Sequence, residues 1–142
     1  MRWLLASGCA GAKPTPDAAL EETARELRES VASNIPDHNR KEQMLALVDQ
    51  IESNQSDFSA VALEFVGKFR KLNTNYDAPR ASFDELFSEF QVQRIQSRDR
   101  ILDLHFRFAA LATADEWARI GRVEAKIYDE LVIARARQAG TT

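Results

Sequence analysis

Apolar residues along this chain return at alternating steps of four and three, the spacing that lays one face of an α-helix against a neighbour. The longest such run is Met44, Val48, Ile51, Gln55, Phe58, Ala62, Phe65, Phe69, Leu72 and Tyr76, interrupted by the amide of Gln55. A sustained 3.5-residue period is what knobs-into-holes packing of long helices requires. Unbroken, a helix over this stretch would exceed about 50 Å at about 1.5 Å per residue. Asp37 can open it, and Ser53-Asn54-Gln55-Ser56-Asp57 is its weak point, because these side chains compete for backbone hydrogen bonds and can cap a new helix.

Three further segments carry the same period. In the first, Leu20, Ala24, Leu27 and Val31 form the stripe; Thr15 is positioned to cap, Pro16 fits the first turn, and Pro36 forces the end. A loop-forming stretch from Asn73 to Pro79 precedes the third, in which Phe83, Phe87, Phe90, Arg94, Ser97, Ile101, Leu104, Phe108 and Leu111 share a face and Ser82 with Glu85 matches a capping box. Thr113 and Glu116 match a second capping box, opening a fourth helix with Trp117, Ile120, Val123, Ile127 and Leu131 inward. No strand pattern or internal repeat is visible. The fold class expected is therefore all-α: an antiparallel bundle of about four helices built on a long central helical hairpin, with the bundle domain spanning 17–139.

Pairing helices two and three about their turn places Gln55 and Phe58 near Arg100 and Ser97, so the polar interruptions of both stripes fall at one level. A polar layer of this kind fixes register at some cost in stability. Helix one is long enough to cover only the first half of helix two, whereas helix four is expected to cover most of helix three. The turn end of the hairpin is then the least covered part. Phe69, Leu72, Tyr76, Phe83 and Phe87 lie there and form the candidate face for a protein partner or a homodimer. The competing arrangement has helix two breaking near Ser56 and folding back to bury these rings in a compact core.

At 142 residues, with 44% hydrophobic and 29% charged, the chain suits one ordered domain with a modest core. Its formal net charge of −3 comes from interspersed signs with no basic block, so a nucleic-acid backbone has little to attract it. No stretch approaches the roughly 20 apolar residues of a membrane span. The single cysteine, Cys9, excludes an internal disulfide and any paired-cysteine metal or redox motif.

That cysteine stands in an informative place. Met1-Arg2-Trp3-Leu4-Leu5-Ala6-Ser7-Gly8-Cys9 is a charge, a short apolar run and small residues before the only thiol. It resembles the end of a bacterial lipoprotein signal, with Ser7, Gly8 and Cys9 in the last three places of the lipobox and Ala6 where leucine is usual. The apolar run is shorter than the roughly 7–15 residues of a complete signal core, so either further signal residues lie upstream of Met1 or the match is fortuitous and the segment is a frayed cytosolic N-terminus. The resemblance implies lipidation at Cys9, with 1–9 as the signal and lipobox remnant and 10–16 as a tether, for which the small, proline-containing run Ala10 to Pro16 is suited. It implies a cell-envelope location facing the periplasm, on the outer membrane in a Gram-negative cell because Ala10 follows the cysteine.

Chemistry is harder to find. A di-iron bundle needs inward Glu-x-x-His pairs, but Ile35 precedes His38 by three positions and Leu102 precedes His105. His105 with Asp103 or Glu124 offers at most a weak site, and no metal or other cofactor is assigned. There is no Gly-x-Ser-x-Gly, no glycine-rich phosphate loop, and the acidic pairs Glu21-Glu22 and Asp115-Glu116 are explained by the positive ends of helices. The chain reads as non-enzymatic.

The layout of a small exported domain with a long helical hairpin resembles the periplasmic stress and metal-resistance group of Spy-type chaperones and CnrX-type sensors. Their Leu-Thr-x-x-Gln motif is echoed by Leu111-Ala112-Thr113-Ala114-Asp115, in which an alanine intervenes and the glutamine is missing, so no functional residue carries over. The expected function is a lipid-anchored helical interaction or envelope-stress protein. A periplasmic metal sensor and a cytosolic helical adaptor are the alternatives, the latter if Cys9 is never lipidated.

Overall fold

Four helices account for the chain wherever its structure is described, which in this computed structural model is residues 16–139, with side chains over 18–126 and at Asp129. They are α1 (Pro16–Asn34), α2 (His38–Thr74), α3 (Arg80–Ala110) and α4 (Ala114–Ala139), an antiparallel all-α bundle with no strand among the described residues. Each boundary has a local cause. Pro36 ends α1, and Asp37 caps α2 by accepting a 2.7 Å hydrogen bond from the Arg40 N–H. Helix α2 passes unbroken through Ser53 to Asp57, so the fold-back at Ser56 does not occur. Only Asn54 and Gln55 of that stretch are buried; Ser53, Ser56 and Asp57 face solvent, where they do not disturb the helix.

The expected Ser82–Glu85 box is not used. Helix α3 begins at Arg80, with Pro79 in the capping position and no side-chain cap, because the fixed proline geometry leads directly into the first turn. The Thr113–Glu116 box does form. The Thr113 N–H donates to Glu116 Oε2 at 2.8 Å, and the Glu116 N–H donates to Thr113 Oγ1 at 3.3 Å.

The same Glu116 carboxylate also ties the base of the bundle together. Arg40 at the start of α2 donates to both of its oxygens at 2.8 and 3.1 Å, and to the Leu111 carbonyl at 2.9 Å. One guanidinium therefore holds the α3–α4 connection against the first turn of α2. The Arg40 guanidinium, with the Thr113 N–H second, pulls the Glu116 carboxyl down to about 2.

Packing follows the stripes. Leu20, Ala24, Leu27, Val31 and Ile35 of α1 and its exit meet Met44, Leu47, Val48 and Ile51 of α2, Leu104 and Phe108 of α3, and Ile120 of α4, all buried in one core. Arg28 ties α1 to α2 through Asp49 at 2.7 Å and through Glu52, and Lys126 ties α4 to α1 through Glu26 at 3.1 Å. The principal helix contacts are α2 with α3, α1 with α4, and α1 with α2. This corrects the expectation that helix four covers most of helix three. α4 lies chiefly along α1 and reaches α3 through a few large side chains, His105 and Phe108 against Trp117. The α4 face that carries Trp117 is also left open by Gly121, where a Cβ would come within 3.0 Å of the indole.

The polar layer exists, one residue and about one turn from its expected place. Asn54, not Gln55, spans the helices: its Nδ2 donates to Ser97 Oγ at 3.2 Å and to the Ser97 carbonyl at 3.4 Å. Phe58 faces Phe90 rather than Ser97, at 6.0 Å between centroids. Turn residues 75–79 supply more slack than a minimal connection, so the register is set by the Asn54–Ser97 contact together with the rings above it.

Three outcomes follow. Leu27→Ala empties a fully buried site and costs about 2–5 kcal/mol in denaturant melts, whereas Leu63→Ala, 71% exposed, changes stability by no more than about 0.5 kcal/mol. Because the Glu116 carboxyl is lowered on folding, its contribution is complete above about pH 4.5 and is lost as pH falls toward about 2. Thermal melts of Glu116→Gln should therefore lose less stability over that window than wild type; parallel curves would contradict the clamp. Asn54→Leu should keep or raise the melting temperature while broadening spin-label distances across the hairpin; a sharp unchanged distance would remove the register role.

Candidate functional site: the uncovered hairpin tip

Beyond Asn54 the hairpin continues for more than five turns without the layer that covers its base. Its two helices are held together by rings. Phe65 stacks on Phe90 at 4.3 Å and meets Phe87 edge-on at 5.2 Å. Phe69 meets Phe83 at 6.1 Å and Phe87 at 6.0 Å, both edge-on. Such pairs add about 0.5–1.5 kcal/mol each beyond the area they bury, which is how two helices alone keep a register. Leu86, 7% exposed, is the one buried apolar side chain of the tip.

Burial along the α2 stripe falls in one direction. Met44, Val48 and Ile51 are buried completely, Phe58, Ala62, Phe65, Phe69 and Leu72 only in part, and Tyr76 not at all. Of the five residues proposed as a partner face, Phe69, Leu72 and Phe83 are half-buried in the ladder, and Phe87 is 50% exposed beside it. The fifth, Tyr76, does not continue the α2 face. The helix ends at Thr74, and Tyr76 stands in the turn with its whole side chain in solvent.

Two residues of this face lay off the main stripe and were not anticipated. Leu63 is 71% exposed and Val66 40%. They continue the line Asp49, Glu52, Ser56, Ser59 at steps of three and four, and Arg28 of α1 binds the first two of these. Phe87 likewise lies about five turns before His105, the α3 residue that meets α4. Leu63, Val66 and Phe87 thus occupy the places on the tip that correspond to the α1- and α4-facing positions at the base. The signal was present in the sequence, but reading it required knowing which side of α2 receives α1.

The opposite side of the tip carries a shallow groove of about 460 Å³ between α2 and α3, lined among others by Val61, Phe65, Phe90 and Val92, with Glu64, Lys68 and Glu89 at its rim. Lys68 is occupied by Glu64 at 2.9 Å.

The histidines offer less. His38 is exposed and pairs with Glu42 at 3.2 Å. His105 Nδ1 lies 2.9 and 3.1 Å from the two carboxylate oxygens of Glu124, a side chain 2% exposed, with Trp117 edge-on to the imidazole. Of the two carboxylates considered for His105, Glu124 is the partner; Asp103 pairs with Arg107. A buried carboxylate answered by an imidazole is a packing device joining α3 to α4. No group of three or more His, Cys, Asp or Glu converges among the described residues, and none of the described helices is long and apolar enough to cross a membrane. Cys9, the proposed lipidation site, lies outside the described residues, as do the rest of the lipobox and the tether up to Thr15. No family model matches the chain, and no curated protein or solved structure matches it either.

Proposed function

We propose that this chain is a non-enzymatic, lipid-anchored envelope protein whose hairpin tip receives an amphipathic helix of a protein partner. The observation that carries the reading is the open side of the tip, where Leu63, Val66 and Phe87 continue the surface that α1 and α4 cover lower down. A helix laid there would extend the α1–α4 layer and bury apolar area against rings already fixed in place. This is the helix-in-groove mode of recognition, in which anchors at three- and four-residue spacing enter an apolar channel. The Ser7-Gly8-Cys9 ending supports the anchor and the envelope location. The metal-sensor alternative draws on the His105–Glu124 pair alone, two ligands where a site needs three or four.

Metabolic labelling with a palmitate analogue should mark wild type and leave Cys9→Ala unmarked; an unmarked wild type removes the anchor and favours the cytosolic adaptor. Photo-crosslinking side chains at Leu63 or Phe87 should capture a discrete partner in cells, while one at exposed Gln43 on the base should not. Leu63→Glu with Phe87→Glu should abolish that capture and shift the melting temperature by only a few degrees, since both sites are half or more exposed. Equal capture from tip and base would refute the tip as the binding face.

A further inference from the structure

The start of α1 lies toward the hairpin tip, not toward the base. Arg28 pairs with Asp49 and Glu52, and Leu20 and Glu21 lie beside Glu52, Ser53 and Ser56. α1 therefore runs antiparallel to α2 and begins near the level at which the hairpin loses its cover. Pro16 stands about one turn beyond Leu20. From that level α2 rises about 20 Å more to its end at Thr74. The base of the bundle lies the whole length of α1, about 28 Å, in the other direction. Seven residue steps separate Pro16 from Cys9, and fully extended they span at most about 25 Å. A lipid on Cys9 can be held level with the α2–α3 turn and cannot be held level with the base.

On the reading of Cys9 as the anchor, we propose that the α2–α3 turn docks on the anionic phospholipid surface of the bilayer that holds the lipid. The reach of the tether allows the hairpin to meet that surface turn-first or side-on, and the chemistry of the turn selects the first. Tyr76 is wholly exposed at the end of the hairpin. It packs against nothing there, whereas its ring and hydroxyl suit the boundary between acyl chains and water. Around it Arg70, Lys71 and Arg80 face a single acid in the same stretch, Asp77, so residues 70–80 are locally basic in a chain of net charge −3. Arg80 is shared with Asp84 at 3.5 Å. The side chains of Arg70 and Lys71 have no ion-pair partner among the described residues. Basic residues on long stems reach anionic headgroups while their stems stay near the apolar boundary. This end surface is distinct from the side channel bounded by Leu63, Val66 and Phe87. It places that channel about 15–20 Å above the bilayer, where an amphipathic helix of a membrane protein can enter it.

Cys9 is the only thiol, so full-length protein coupled through it to maleimide-bearing lipid carries an anchor whether or not a cell lipidates it. Palmitate labelling in cells tests the anchor itself, and the two failures are read separately. A coumarin side chain is placed at exposed Ala81 beside the turn or, in a second protein, at exposed Gln43 on the base. Each is read in phosphatidylglycerol-containing vesicles against lipid spin-labelled in the headgroup. Quenching at 81 should exceed that at 43 at least threefold. Arg70→Gln with Lys71→Gln and Tyr76→Ser should lower quenching at 81 at least twofold with an unchanged helical melt, since all three side chains are exposed. Vesicles of phosphatidylcholine alone should lower it likewise. Equal quenching at the two positions overturns the proposal, and so does stronger quenching at 43. Quenching at 81 that the triple substitution and the neutral lipid both leave unchanged overturns it as well, because the tether alone would then orient the hairpin.

Discussion

A helix of 19 residues cannot cover one of 37. At about 1.5 Å per residue α1 spans about 28 Å and α2 about 55 Å, so half of the α2–α3 hairpin must stand beyond any cover α1 can give. The apolar period of α2 does not stop where the cover does. It runs on through Phe58, Ala62, Phe65 and Phe69, and water must meet whatever these rings do not bury in one another. The gradient of burial along one face, from sealed at Met44 to half-open at Phe69, is the direct consequence. A chain made only to be stable would have trimmed the hairpin or changed its outer residues to polar ones. Rings kept there leave apolar surface open to water.

The overhang is tolerable because the base is over-determined. Hydrophobic burial there is dense but directionless, and by itself would let the helices slide. Direction comes from a few polar contacts of limited tolerance. Arg40 meets Glu116 and the Leu111 carbonyl together, which fixes the start of α2 against the α3–α4 turn; Asn54 meets Ser97, which fixes α2 against α3 where the cover ends. Glu116 serves two structures at once, closing its own helix's first turn and holding Arg40. Above Asn54 the rings take over, with Phe65 and Phe69 each meeting three others, so the tip keeps one register without a core beneath it.

What could be read in advance divides along the same line between local and relational signals. The four helices, the Pro36 break, the Asp37 opening and the Thr113–Glu116 box depend on residues within a few positions of one another, and each stands where expected, while the inward places given to Ile127 and Leu131 lie outside the described side chains. The uncovered tip was also legible, since it needs only helix lengths. The errors concern relations between helices. The polar layer shifted by about a turn because the slack of residues 75–79 is invisible to a period count. Helix α4 chose α1 over α3 because antiparallel adjacency in sequence says which helices are neighbours, not which neighbour is closest. Ser82 lost the capping role to Pro79, an ordinary competition between two adequate starts. Leu63 and Val66 were passed over because their importance depends on the side from which α1 approaches.

Exposed apolar residues on this protein are therefore of two kinds, and the distinction is physical. Leu63, Val66 and Phe87 are exposed because the layer of α1 and α4 stops short of the tip. Ile95, Leu102 and Phe106 are exposed because α3 carries a second stripe on the side away from the bundle, with Val92 at its upper end lining the groove between α2 and α3.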